Sequence, residues 1–313
     1  MAEPLRRFRF GAQVAGAASA GEWTATARRV EDEGYATLFM PDHLDDQWSP
    51  VPALAAAAAA TTTLRIGSLV LDNDFRHPVV LAKEAATLDV VSGGRLDLGM
   101  GAGWQRRDYE QSGTGSADAA PRVERLGEAV AVVKGLFGGE RFSFAGRHYM
   151  VSGLIGTPHP VQRPRPPILI GGGSPRVLAL AGREADIVDV NFALRSGVVG
   201  PEIGPTGTAA ATARKLGWVR AAAGSRFGDL ELSVRVFVAH VTDERDEVAA
   251  GIACGFGLTP DEVLGTPHFL VGTVAQITDD LVRRREELGL SNVVFSGGAL
   301  DDIAPVVACL AGT

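Results

Sequence analysis

The 313-residue chain has only two cysteines, Cys254 and Cys309. Neither belongs to a CxxC pair or to a cluster with metal-ligand spacing, so neither a disulfide framework nor a metal site is expected, and a reducing cytoplasm is. Lysine is nearly absent, at positions 83, 134 and 215 only, and the formal net charge is −7. A nucleic-acid surface needs clustered lysine and arginine facing phosphates, which excludes DNA and RNA as partners. Long apolar runs are missing as well. The longest, Val51 to Ala60, is mostly alanine and about half the ~20 residues a membrane span requires, so it reads as a core helix and no membrane partner is expected. The start, MAEPLRRFRFGAQ, has no apolar h-region and runs directly into a strand-like segment, which argues against a signal peptide.

What the chain does have is a steady alternation of strand and helix signals, densest between Leu64 and Trp104. Leu64, Ile66, Leu69 and Leu71 form a β-type run. Pro78 then opens a segment whose Val79, Leu81, Ala82, Ala85, Leu88 and Val91 recur at helical spacing, stopped by Gly93 and Gly94. Arg95 to Met100 is a second strand, completing a βαβ unit. A right-handed crossover brings the residues after Ile66 and after Leu98 to one sheet edge, where parallel α/β proteins bind ligands. That edge receives Ser68, Asp72, Asn73, Gly101, Gly103 and Trp104.

The same rhythm runs through the rest of the chain. Strands are expected at Phe8–Gln13, Ala36–Met40, Ile168–Ile170, Ala185–Asn191, Leu230–Val241 and Asn292–Ser296, with helices between them. Asp243 is placed to cap a helix. Thr273 and Gln276 have capping-box spacing for the last long helix, in which Asp280 and Arg284 form an i,i+4 pair and Gly289 ends the helix. Eight strands alternating with helices predict a single (β/α)8 TIM barrel over residues 1–313, of the α/β class. Residues 138–167 break the rhythm and read as a hairpin insertion before strand five, covering a mouth. The polar stretch from Trp104 to Pro121 is too long for an idle connection.

Three motifs could carry chemistry. Asp42-His43 stands at the exit of strand two, on the rim where barrels place catalytic groups, and histidine is the side chain suited to proton transfer near neutral pH. Gly171-Gly172-Gly173-Ser174 lies between a strand and a helix, leaving backbone N–H groups open to an anion at the helix N-terminus. Gly99-x-Gly101-x-Gly103 is not a dinucleotide fingerprint, because Trp104 stands where the third glycine belongs and Gln105-Arg106-Arg107-Asp108 follows. Small residues there let a flat ring approach, with Trp104 stacking on it or lining the pocket.

The wording of four ordered blocks resembles the luciferase-like monooxygenases: Ile66-Gly67-Ser68, Arg76-His77-Pro78, Ser92-Gly93-Gly94-Arg95-Leu96 and Gly99-Met100-Gly101-Ala102-Gly103-Trp104. It resembles the branch of coenzyme F420-dependent oxidoreductases. The resemblance implies hydride transfer between the deazaflavin F420 and a small organic substrate. His43 would be the proton donor or acceptor, with Asp42 orienting it. Gln13, Ser68, Leu69, Gly101, Trp104, Gly171, Gly172, Gly173 and Ser174 would bind the cofactor, the glycine loop taking its phosphate-bearing tail. It further implies a non-prolyl cis peptide at Ser68-Leu69, a loop ordered by Glu110, a homodimer, and a separate reductase supplying reduced cofactor. At Trp104 some deazaflavin relatives carry an acidic glutamate, which this chain lacks. The alternatives are an FMN-dependent two-component monooxygenase using dioxygen, and a flavin-binding barrel without turnover, against which the retained His43 argues.

Overall fold

The computed structural model describes residues 5–115 and 118–313. Eight parallel strands close into a barrel: β1 (Arg9–Gln13), β2 (Thr37–Met40), β3 (Arg65–Ser68), β4 (Leu96–Gly101), β5 (Ile168–Gly172), β6 (Ile187–Val190), β7 (Glu231–Val236) and β8 (Leu290–Ser296). They pair in chain order, and β8 closes the ring against β1 with Gly11 opposite Val294 and Gln13 opposite Ser296. Helices cover the outside, giving the (β/α)8 architecture expected from the alternation.

Alternation along each strand sorts side chains between two cores. Phe10, Leu38, Ile66, Leu98, Ile170, Val188, Val234 and Phe295 face outward and join the helices in one continuous apolar cluster. Phe39, Leu169, Ile187 and Val294 face inward and make a smaller cluster with Leu69. Space inside is tight. A Cβ on Gly11 or Gly67 would come within 2.8 Å of the Phe39 ring, so glycine on both neighbouring strands is what lets a fully buried phenylalanine fill the barrel.

Several local expectations are met and others change. The Thr273–Gln276 capping box forms, and Gly289 ends its helix with φ 73°. Asp280 and Arg284, however, are not partners. Asp280 takes Arg245 (2.8 Å) and Arg283 (2.6 Å), while Arg284 turns into the fold and donates to the carbonyls of Phe269 (3.1 Å) and Leu264 (3.0 Å). Asp243 caps nothing: the Glu244 N–H donates to Thr242 Oγ1 (3.0 Å), and that extra turn moves the helix start to Arg245. Strand seven stops at Val236 because the Phe237 N–H donates to the His268 carbonyl (2.8 Å). Val238–Val241 then leaves the barrel to pair in parallel with Phe269–Gly272.

The non-prolyl cis peptide lies at Leu69-Val70, one bond later than expected at Ser68-Leu69. The β2–β3 ladder explains the position: the Leu69 N–H still donates to the Met40 carbonyl (2.8 Å), so strand geometry persists through Ser68. The 138–167 segment does form an antiparallel hairpin, Arg141–Ala145 with Met150–Ile155. It lies along the helix Ala119–Phe137 instead of over the mouth. Glu128 on that helix accepts the N–H groups of Arg147 (2.7 Å), His148 (2.8 Å) and Tyr149 (3.0 Å), which docks the tip there.

Candidate active site

The C-terminal ends of the strands surround a cavity of about 640 Å³. Of the residues singled out from the sequence, Gln13, Asp42, His43, Leu69, Gly101, Trp104 and Gly171 through Ser174 all line it. Ser68 does not. It is buried behind the wall, its Oγ donating to the Gly99 carbonyl (2.8 Å) and accepting the Gly99 N–H (3.1 Å), which ties β3 to β4.

His43 is held by a residue that the sequence reading passed over. Its Nδ1 lies 2.7 Å from Asp108 Oδ2. Asp108 Oδ1 accepts the Leu44 N–H (3.2 Å) and Gln105 Nε2 (3.1 Å), so the carboxylate accepts on both sides and Nδ1 carries the proton. That tautomer leaves Nε2 as the ring's free nitrogen. Trp104 packs edge-on against the imidazole at 5.4 Å between ring centres and fixes its plane.

Asp108 comes from a short helix, Arg106–Ser112, inside the stretch read as a loop. The same helix buries Tyr109, whose hydroxyl donates to Asp72 Oδ2 (3.1 Å), so two adjacent side chains pin it to the rim. Glu110, expected to order this segment, is exposed. Asp42 does not orient His43 either. It accepts the Asp72 N–H (2.9 Å) and pairs with Arg76, because the Leu71–Asp72 strand brings the Arg76-His77-Pro78 block directly beneath it. Its role is to brace the rim.

On the opposite wall the Gly171–Ser174 turn runs into the helix Pro175–Glu184. Ser174 makes no side-chain cap bond and Pro175 has no N–H, so the first amides of this helix are left for a ligand. Arg122, Arg176 and Arg195 also line the cavity, and among the described residues none of them has a carboxylate partner. In a chain of net charge −7 the cavity lining thus holds three cationic side chains free to meet an anion.

Two further charged residues line the cavity floor. Asp189 on β6 is held by Ser233 Oγ (3.2 Å), and burial pushes its carboxyl up to about 6. Arg235 on β7 reaches Ser296 Oγ at 3.5 Å, with its guanidinium 4.6 Å from the Phe237 ring centre. Both were missed from the sequence, although a signal was present. Each is a charged residue at an inward-facing position of a strand whose outward-facing residues are all apolar, IVDV and ELSVRV.

A parallel barrel with an oriented imidazole and an anion-attracting turn at its C-terminal mouth has the layout of a barrel enzyme. Residues 7–253 match the luciferase-like monooxygenase family, and the chain belongs to that family of oxidoreductases. It is 36% identical over 165 residues to an F420-dependent glucose-6-phosphate dehydrogenase of Microbacterium testaceum, covering 50% of this chain and 48% of that protein. It is 31% identical over 142 residues to an FMNH(2)-dependent dimethylsulfone monooxygenase of Pseudomonas putida, covering 45% and 39%. The matched part thus spans half or less of the length of these relatives. In structure it resembles the coenzyme F420 dependent tetrahydromethanopterin reductase of Methanopyrus kandleri, with a TM-score of 0.75 at 18% identity over 97% of this chain and 100% of that one, a likeness of fold alone. No helix among the described residues is long and apolar enough to cross a membrane.

Proposed function

We propose that the protein transfers a hydride between coenzyme F420 and a small organic substrate. The reading is carried by one observation: a single cavity has an imidazole with a free Nε2 on one wall, a helix N-terminus on the other, and three arginines without carboxylate partners in its lining. Several cationic groups suit a tail with more than one negative charge better than a lone phosphate, which favours F420 over FMN. The cavity volume and its mostly non-charged lining suit a flat ring.

When bound, F420 supplies a two-electron hydride carrier at C5. The chain's residues supply the rest. Backbone amides of the Gly171–Ser174 turn and its helix would hold the tail. Val70, whose side chain packs directly on Gly101, would bound the ring together with Leu69 and Ala102 and exclude water. His43 Nε2 would take the proton that a substrate oxygen loses as hydride leaves the adjoining carbon, or return it in the reverse direction. Asp108 would stabilise the imidazolium formed.

The second reading keeps the cavity and takes FMN with dioxygen, reduced flavin coming from a separate reductase. Its support is the similarity to the Pseudomonas putida monooxygenase. Titrating the purified protein with F420 and with FMN separates the two. Tenfold or tighter preference for F420 is the expected result, and tighter binding of FMN would transfer the conclusion to the second reading.

A further inference from the structure

Beside the large cavity lies a smaller chamber of about 440 Å³ over the ends of β1 and β8. The two spaces share Gln13, Pro41, His43 and Arg235. The glycine turn and the three rim arginines line only the larger one, and Gln47, Ser296 and Gly297 only the smaller. The mouth is therefore divided, with His43 and Arg235 at the junction.

Arg235 is an unusual occupant of that junction. It points into the barrel because it stands opposite inward-facing Val294 and two residues after inward-facing Ser233. Its one side-chain hydrogen bond is the long contact to Ser296, its Nε is buried without a partner, and among the described residues it makes no ion pair. Burial disfavours its charge, and Asp189 opposes that only from beyond contact distance. A half-buried guanidinium with so few acceptors has donors left for a ligand, and its planar donor edge matches a carboxylate. Phe237, against its face, limits the directions from which an acceptor can approach.

We propose that the small chamber is the substrate subsite and that Arg235 binds the carboxylate of a small organic acid, holding its reacting end toward His43. This deepens the hydride-transfer reading and rests on it for the word substrate. The binding claim itself does not depend on which cofactor the large cavity takes.

The test uses the full chain without added cofactor and titrates it with benzoate and its neutral counterpart benzamide by calorimetry. Benzoate should bind roughly tenfold or more tightly than benzamide, the scale of a charge-assisted hydrogen bond. Arg235→Gln should abolish that preference, and Arg235→Lys, which keeps charge but loses the planar edge, should keep only part of it. Arg176→Gln should leave it intact. Equal binding of benzoate and benzamide by the unsubstituted protein would overturn the proposal whether or not the Arg235 variants fold. So would benzoate binding that survives Arg235→Gln or that is lost equally in Arg176→Gln, since each puts the acid elsewhere. None of these outcomes bears on the F420 titration, so the two claims fail separately.

Discussion

The two ends of the barrel treat inward-facing charge in opposite ways. At the N-terminal end Arg9 bonds Asp97 (2.9 Å) and Glu231 (2.7 Å), Arg65 bonds Asp97 (2.6 Å), and Thr37 Oγ1 adds a bond to Asp97 at 3.3 Å. Burial works against the ionised Asp97, yet the two guanidiniums hold its carboxyl below the usual range. Glu231 is pushed up by burial, with the nearby Asp97 charge adding to it against the pull of Arg9. At the C-terminal mouth Asp189 and Arg235 stand on adjacent strands without an ion pair between them. Burial drives both toward their neutral forms, Asp189 to about 6. Charge that closes the fold is paired within the chain. At the mouth Asp42 is paired with Arg76, but Asp189 and Arg235 are left incomplete, which is the condition for a ligand to gain by binding there.

The largest expected effect comes from breaking the paired end. Asp97→Asn leaves two guanidiniums without their shared counter-charge and should cost about 3–5 kcal/mol. The measure is a fall in denaturant midpoint at unchanged slope. A loss under about 1 kcal/mol would mean that water reaches this end freely and that the contrast is overstated. At the mouth the cost should fall on rate. His43→Asn is expected to lower kcat by ~10²–10⁴-fold, and Asp108→Asn by roughly tenfold or more, because its amide favours the wrong tautomer of His43. Both should melt near the unsubstituted protein. A His43 variant with normal turnover and reduced stability would make the histidine a structural cap.

The same contrast explains what could be read from the sequence. Strand and helix alternation reports burial, and burial is what the outer core consists of, so the barrel was legible from residues such as Ile66, Leu98 and Ile168. His43 and the Gly171–Ser174 turn were legible because strand ends are marked by glycine and proline. Asp108 was not, since its helix is polar on its surface and its two anchoring contacts, to His43 and from Tyr109 to Asp72, lie 65 and 37 residues away. Ser68 misled for a related reason. A serine at a strand end looks like a ligand group until the Gly99 backbone is known to take it. Arg9, Arg65, Asp97, Asp189 and Arg235 carried a visible mark, charge within apolar strands, but which of them are paired depends on closure of the barrel.

A smaller effect should separate the two ends by pH. A carboxyl group whose folded value lies above its unfolded value near 3.8 binds its proton more tightly when folded. The stability Asp189 contributes is thus whole below about pH 3.8 and is lost as pH rises through about 6. Asp189→Asn keeps the bond to Ser233 and removes that loss, so across this window the variant should gain on the unsubstituted protein by on the order of 1–3 kcal/mol. Asp97 has the opposite sign: its contribution is present above the ordinary carboxylate range and is lost on acidification. Parallel denaturation curves for Asp189→Asn and the unsubstituted protein from about pH 4 to 7 would show that Asp189 is solvated, and that the incomplete charge at the mouth is Arg235 alone.

The smallest effect concerns the rim. Arg176 is exposed at the second position of the helix Pro175–Glu184, so its attraction for an anion is screened by water in a way that the buried pairs at the N-terminal end are not. Arg176→Gln should weaken cofactor binding by roughly two- to fivefold at low salt, the scale of an exposed charge near a helix terminus. The difference should shrink toward nothing in about 0.5 M salt, where the screening length falls to a few ångströms. Fluorescence titration of F420 at both salt concentrations measures it. No difference at either salt would leave the anion to the backbone amides alone. A loss well above tenfold that persists in high salt would mean that Arg176 closes over the tail in a desolvated pair, and the rim would then behave electrostatically like the opposite end of the barrel.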